Sequence, residues 1–162
     1  MPGAKIVSCL ARLMILCLFA MHCTRVAKAA DACDVIVARL VADQAVQFER
    51  RAEGGTIHLR HPLAQSLTIG CGETQRGPNI FISWGGAYPT AAFYTFLGRI
   101  GTIVVGKSAA AIEAGAKRSH VAALKSRDEQ SEIRIGGLEF DCQVSTRNGG
   151  SSVFAVSPND PP

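Results

Sequence analysis

Few residues in this chain stand at spacings that could do chemistry. His58 and His61 lie three apart, with Cys71 or Glu73 as a conceivable third metal ligand. On a strand, residues three apart point to opposite faces, so one metal ion would need a turn at Arg60. No Cys-x-x-Cys and no His-Glu-x-x-His spacing accompanies them. The pair therefore reads as one exposed and one half-buried histidine beside Pro62, and no metal or cofactor is assigned.

His120, Ser83 and Asp141 are the residue types of a hydrolytic triad. Ser83 lies in Ile82-Ser83-Trp84-Gly85-Gly86, which lacks the Gly-x-Ser-x-Gly elbow that presents a nucleophile. His120 falls on an apolar helical stripe, where a histidine is more often a core residue with one ring hydrogen bond. A chain of this length offers such a trio by chance, so no residue is given a catalytic role. Cys33 has no Cys-x-x-Cys partner and no cationic neighbour to favour its thiolate. Gly85-Gly86-Ala87-Tyr88-Pro89 marks a strand-to-helix junction, where backbone N–H groups can hold an anion. It carries no Lys or Arg and matches neither phosphate-loop pattern, so its glycines read as a tight turn. Trp84 and Tyr88 flank that turn and are the candidate ligand-binding residues, because exposed aromatics serve as stacking anchors.

The elements that position these residues centre on Ile80 to Val105, which holds six of the ten aromatic residues. It begins as an alternating strand, turns at Gly85-Gly86, and continues as a helix. Phe93, Phe96, Leu97, Ile100, Ile103 and Val104 form one helical stripe. Thr90 is placed to cap this helix and Ser108 to cap a second, from Ala109 to Lys125. The second helix carries a narrow stripe of small residues, and Gly98 and Gly101 predict close approach of its backbone. Together the two helices make a hairpin.

Strand patterns flank them. Val35–Val41 reads as an apolar strand, and Val46 and Phe48 alternate with Gln47 and Glu49, although Asp43 to Ala52 also fits a helix. Gly54-Gly55 turns into Thr56–His61, and Leu67-Thr68-Ile69 opens the next strand. Glu132–Ile135, Gly136-Gly137 and Leu138–Ser145 form a hairpin with a two-residue turn. Asn148-Gly149-Gly150 turns into a last strand from Ser151 to Val156, and Ser157 onwards reads as a loose tail because of its prolines. Leu138, Phe140, Cys142 and Val144 point one way, and Glu139, Asp141 and Gln143 the other. One buried and one wet face predict an α+β fold: an antiparallel sheet covered on one face by a helical hairpin.

The first 29 residues read as an export signal. Lys5 and Arg12 precede the nine-residue apolar run Leu13 to Met21, and Ala27-Lys28-Ala29 offers a cleavage site. Domain boundaries follow: a signal over 1–29, one α+β domain over 30–157, and a tail over 158–162. Removing residues 1–29 takes four basic residues with it (Lys5, Arg12, Arg25, Lys28), and 17 less 4 leaves 13 Lys+Arg against 13 Asp+Glu. Zero formal charge excludes a nucleic-acid partner on electrostatic grounds. Residues 87–106 contain one charge, Arg99, but a charge near mid-span and three glycines disfavour membrane insertion. Export leads to an oxidising compartment, where Cys33, Cys71 and Cys142 allow one disulfide. The alternation pattern turns Cys71 and Cys142 inward, so that pair is expected, with Cys33 left free.

Together these features predict a small exported protein, periplasmic or extracellular. Its expected work is non-catalytic binding of a protein or small-molecule partner. A small exported hydrolase is the alternative, and an envelope protein held in the membrane by the 87–106 helix is a second one.

Overall fold

The computed structural model describes residues 32–71 and 77–159. The expected export signal and its cleavage site lie outside the described residues. Seven strands form one antiparallel sheet: β1 (Gln47–Arg51), β2 (Ile57–His61), β3 (Ala64–Gly70), β4 (Asn79–Trp84), β5 (Gln130–Ile135), β6 (Leu138–Ser145) and β7 (Ser151–Pro158). Their order across the sheet is β1-β2-β3-β4-β7-β6-β5, so the last strand inserts beside β4 at the middle. Helices α1 (residues 32–44), α2 (Ala91–Val105) and α3 (Ala109–Lys125) supply the second layer. This is an α+β fold with one face of the sheet covered.

Alternation decides which side chains enter the core. On β4, Ile80 and Ile82 are fully buried while Phe81 between them is exposed. On β6, Leu138, Phe140, Cys142 and Val144 are buried, and on β7 Ser152, Phe154 and Val156. All of these except Ser152 meet Phe93, Leu97, Ile100 and Val104 of α2 and Ile112, Ala116 and Ala123 of α3 in one apolar cluster. Burial of such side chains is the main stabilising term of the fold.

The helix hairpin forms as the sequence predicts. Thr90 Oγ1 accepts the Phe93 N–H, and Ser108 Oγ accepts the Ala111 N–H. The chain direction turns through 119° between the helices, so the hairpin is splayed. A Cβ at Gly98 would lie 2.8 Å from the Ala109 carbonyl oxygen, and one at Gly101 2.6 Å from Ile112 Cδ1. The close approach inferred from these two glycines is therefore real. Gly136 and Gly137 adopt φ of 62° and 75°, the positive pair that a tight two-residue hairpin requires.

Three expectations are corrected. Residues 35–41 belong to α1, not to a strand: Cys33, Ile36, Val37 and Leu40 recur at helical spacing and turn inward, leaving Val35 and Val41 exposed. The disulfide joins Cys33 to Cys71, and Cys142 is a buried free thiol. Strand order explains this. β4 and β7 stand between β3 and β6, so three spacings of about 4.8 Å hold Cys71 far outside disulfide reach of Cys142. The helical turn of α1 instead brings the Cys33 Cα within 6.2 Å of the Cys71 Cα. Finally, the last strand runs to Pro158 rather than ending before it. Pro158 pairs with Leu138, and the Asn159 N–H reaches the Gly137 carbonyl. Pairing with β4 has ended at Ile80↔Val156, so no neighbour on that side needs the missing proline N–H.

Candidate functional site

The sheet divides the candidate catalytic residues. Ser83 lies on β4 between Ile82 and Trp84, which both face the helices, so its side chain faces the uncovered side. There its hydroxyl is 2.7 Å from that of Ser66, its partner across β3. Asp141 is also on the uncovered side, half-buried on β6. His120 is on α3, on the covered side. Its Nε2–H donates to the Ala87 carbonyl at 2.8 Å, which specifies the tautomer, and its ring packs among Tyr94, Tyr88 and Phe154. A base on one side of a sheet cannot take a proton from a hydroxyl on the other. The triad is not assembled.

The two histidines of the metal reading are likewise split. His61 stacks on Phe96 of α2 with ring centroids 3.8 Å apart, and burial lowers its pKa. His58 projects from the other face beside Arg60 and Thr68. Cys71 is in the disulfide, and Glu73 lies outside the described residues. Among the described residues, no three His, Cys, Asp or Glu side chains are grouped to hold a metal ion.

The aromatic turn is built rigidly. Ser152 Oγ donates to the carbonyls of Gly86 and Ala87, and His120 grips Ala87 from the helix side. Gly150, at φ +77°, permits the 146–150 turn to press against it; a Cβ there would lie 2.6 Å from the Ala87 nitrogen. Trp84 is half-buried and packs edge-on against Phe93, with ring centroids 5.6 Å apart. Tyr88 is 71% exposed and stands edge-on to His120. Of the two expected ligand-binding aromatics, the structure therefore puts Trp84 largely into the core edge and displays Tyr88.

No protein-family model, curated protein or solved structure matches the chain. Function must be read from the surface itself.

Among the described residues, nothing covers the second face of the sheet, the face expected to be wet. Phe81 is 44% exposed at its centre and Val153 40% exposed beside it. Register lines up one residue from every strand across this face. Arg50 pairs with His58, His58 with Thr68, Thr68 with Phe81, Phe81 with Ala155, Ala155 with Asp141, and Asp141 with Glu132. Residues paired in this way project to the same side of a sheet. Two shallow clefts lie on the sheet, one of about 600 Å³ over β1–β3 and one of about 500 Å³ that Phe81 lines. The first is lined by His58, Arg60, Glu49 and Thr68, and the second by Phe81, Asp141, Glu132 and Val153.

The electrostatics of the two ends differ in sign. A hydrogen bond from Arg60, aided by the charges of Arg60, Arg50 and His58, lowers the Glu49 carboxyl pKa. At the other end burial raises the Asp141 pKa, and the neighbouring carboxylates Glu139 and Glu132 push the same way against Arg134. The signal for this arrangement was present as an exposed position, Phe81, within a buried strand, but its meaning needs the strand order.

Among the described residues no single helix is long and apolar enough to cross a membrane. α2, the core of the stretch weighed as a span, is 15 residues long, and Arg99 on it is exposed.

Proposed function

We propose that this chain is a small exported interaction protein without catalytic activity, and that it works through the bare face of its sheet with the Tyr88 turn as a secondary contact. The observation carrying this reading is Phe81, a large aromatic side chain held exposed at the centre of a sheet face whose rim is polar. Exposed apolar centres with polar rims are typical of docking surfaces. The separation of Ser83 from His120 by the sheet supports the non-catalytic part. The Cys33–Cys71 disulfide supports export, since such bonds persist in oxidising compartments.

One experiment separates binding from hydrolysis. The exported fraction is treated with a fluorophosphonate probe, and parallel cultures carry a photo-cross-linking residue at position 81, 88 or 121. Cross-links at 81, fewer at 88 and none at the helix position 121, with Ser83 unlabelled, are expected. Probe labelling of Ser83 would establish the hydrolase reading instead.

A further inference from the structure

The row of residues across the bare face reads Arg50, His58, Thr68, Phe81, Ala155, Asp141, Glu132, one from each of the seven strands. Phe81 is at its midpoint because β4 is the fourth of the seven strands. Two basic or proton-donating side chains occupy one end, two carboxylates the other, and short side chains flank the aromatic ring. Such a row is complementary to its own reverse.

We propose that the occupant of this face is a second copy of the same chain, stacked sheet on sheet about a two-fold axis that lies between the sheets, parallel to β4 and over Phe81. The inference rests on the interaction reading above and names its partner. A two-fold along the strands reverses strand order, so β1 and β2 of one copy lie over β5 and β6 of the other. Phe81 then meets its own copy, Thr68 the second copy's Ala155, His58 its Asp141 and Arg50 its Glu132. The small side chains at Thr68 and Ala155 leave room beside the two rings. An axis across the strands would set Arg50 against Arg50 and Glu132 against Glu132, and like charges reject it. Self-complementary contact of one patch with itself is what two-fold dimers require.

Two neighbouring charge groups are paired within each copy. Arg60 is held by Glu49, and Arg134 by Glu132 and Glu139, in each copy. In the stack Arg60 and Glu49 lie over the neutral residues Gln143 and Gln130, which share a row with Ser83 and Val153. Glu132 is thus shared between its own Arg134 and the second copy's Arg50. Six strand spacings make the face about 29 Å wide, and strands of this length make it about 20 Å deep. That footprint approaches the extent of a standard stable interface.

The test is sedimentation equilibrium of the purified, full-length-expressed chain and four variants. The unaltered chain should be a dimer. Phe81→Asp should be a monomer that still unfolds cooperatively, since the side chain lies outside the core, and its melting temperature should lose the concentration dependence that dimerisation gives the unaltered chain. Arg50→Glu and Glu132→Arg should each weaken dimerisation by about a hundredfold, because the two-fold axis repeats the contact and each of the two close charge contacts is worth about tenfold. The double variant Arg50→Glu/Glu132→Arg should recover to within about threefold of the original, because each reversed charge again meets its opposite. The loss of the exposed Glu132–Arg134 pair matters little by itself. A monomer at all concentrations, or a dimer indifferent to Phe81→Asp, overturns the proposal, and so does a double variant no better than the singles. A monomer whose residue 81 cross-links to a different protein overturns the homodimer but leaves the interaction reading standing. Probe labelling of Ser83 sinks that reading separately.

Discussion

Cys142 shows how burial alone sets a residue's chemistry. It lies under the helices on β6, and burial raises its thiol pKa from 9.0 to about 12. The folded chain therefore keeps a proton that the unfolded chain gives up first. Stability from this group is complete below pH 9 and falls as pH climbs toward 12, because over that range the unfolded state binds fewer protons. Tyr94, raised by burial and by the nearby Cys142, acts in the same direction at still higher pH. Urea unfolding followed from pH 7 to pH 11 should show stability declining above pH 9, with a shallower decline in Cys142→Ala. Identical slopes would mean that the thiol is not buried in solution. At this scale the sequence was informative where chemistry depends on local spacing. The opposite orientation of His58 and His61 and the core position of His120 follow from strand and helix periods. The Arg50-to-Glu132 row does not, because it is written across seven strands and depends on six registers.

Elements were legible when their signals were local. The Thr90 and Ser108 caps, the glycine approach between α2 and α3, and the Gly136-Gly137 hairpin each rest on a few adjacent residues. α1 was misread because Val35, Ile36, Val37 and Val41 are β-branched and suggest a strand, while the helical spacing of Cys33, Ile36, Val37 and Leu40 prevails in the fold. The disulfide was mispaired for a longer-range reason: nothing in the order of the chain says that β7 enters between β4 and β6. Cys33–Cys71 fastens α1 to the end of β3 and closes a loop with a sequence separation of 38. In the chain-entropy model this cross-link stabilises by up to about 4 kcal/mol. Cys33→Ser should therefore lower the urea midpoint, and reducing agent should lower the original chain's midpoint equally while leaving the variant unchanged. A response to reductant in Cys33→Ser would mean that Cys71 had found another partner.

At the scale of the molecule, the described residues form two layers, a sheet and its helices. Among the described residues three helices cover one face of the sheet and none covers the other, where Phe81 and Val153 are exposed. Sheets of packed domains usually bury both faces or keep the second polar. Here the second face is polar at its rim with Phe81 and Val153 exposed near its centre, and its charge order is matched by its own reverse. The α+β class was legible from the alternation on β4 and β6, which separates buried from exposed positions. That the exposed set forms one continuous, self-complementary surface emerges only when the strands are laid side by side.

The account therefore turns on whether position 81 meets its own copy. Phe81→Cys, in a background with Cys9, Cys17 and Cys23 replaced by serine, introduces a thiol on the proposed axis, while Cys33 and Cys71 are already joined and Cys142 is buried. A bis-maleimide linker that spans about 10 Å should join this variant into a covalent homodimer on a denaturing gel, because thiols on stacked sheets lie beyond disulfide reach, and Tyr88→Cys and Val121→Cys, on other surfaces, should remain single chains. Phe81→Cys that stays a single chain, or that links no better than Tyr88→Cys, would contradict it.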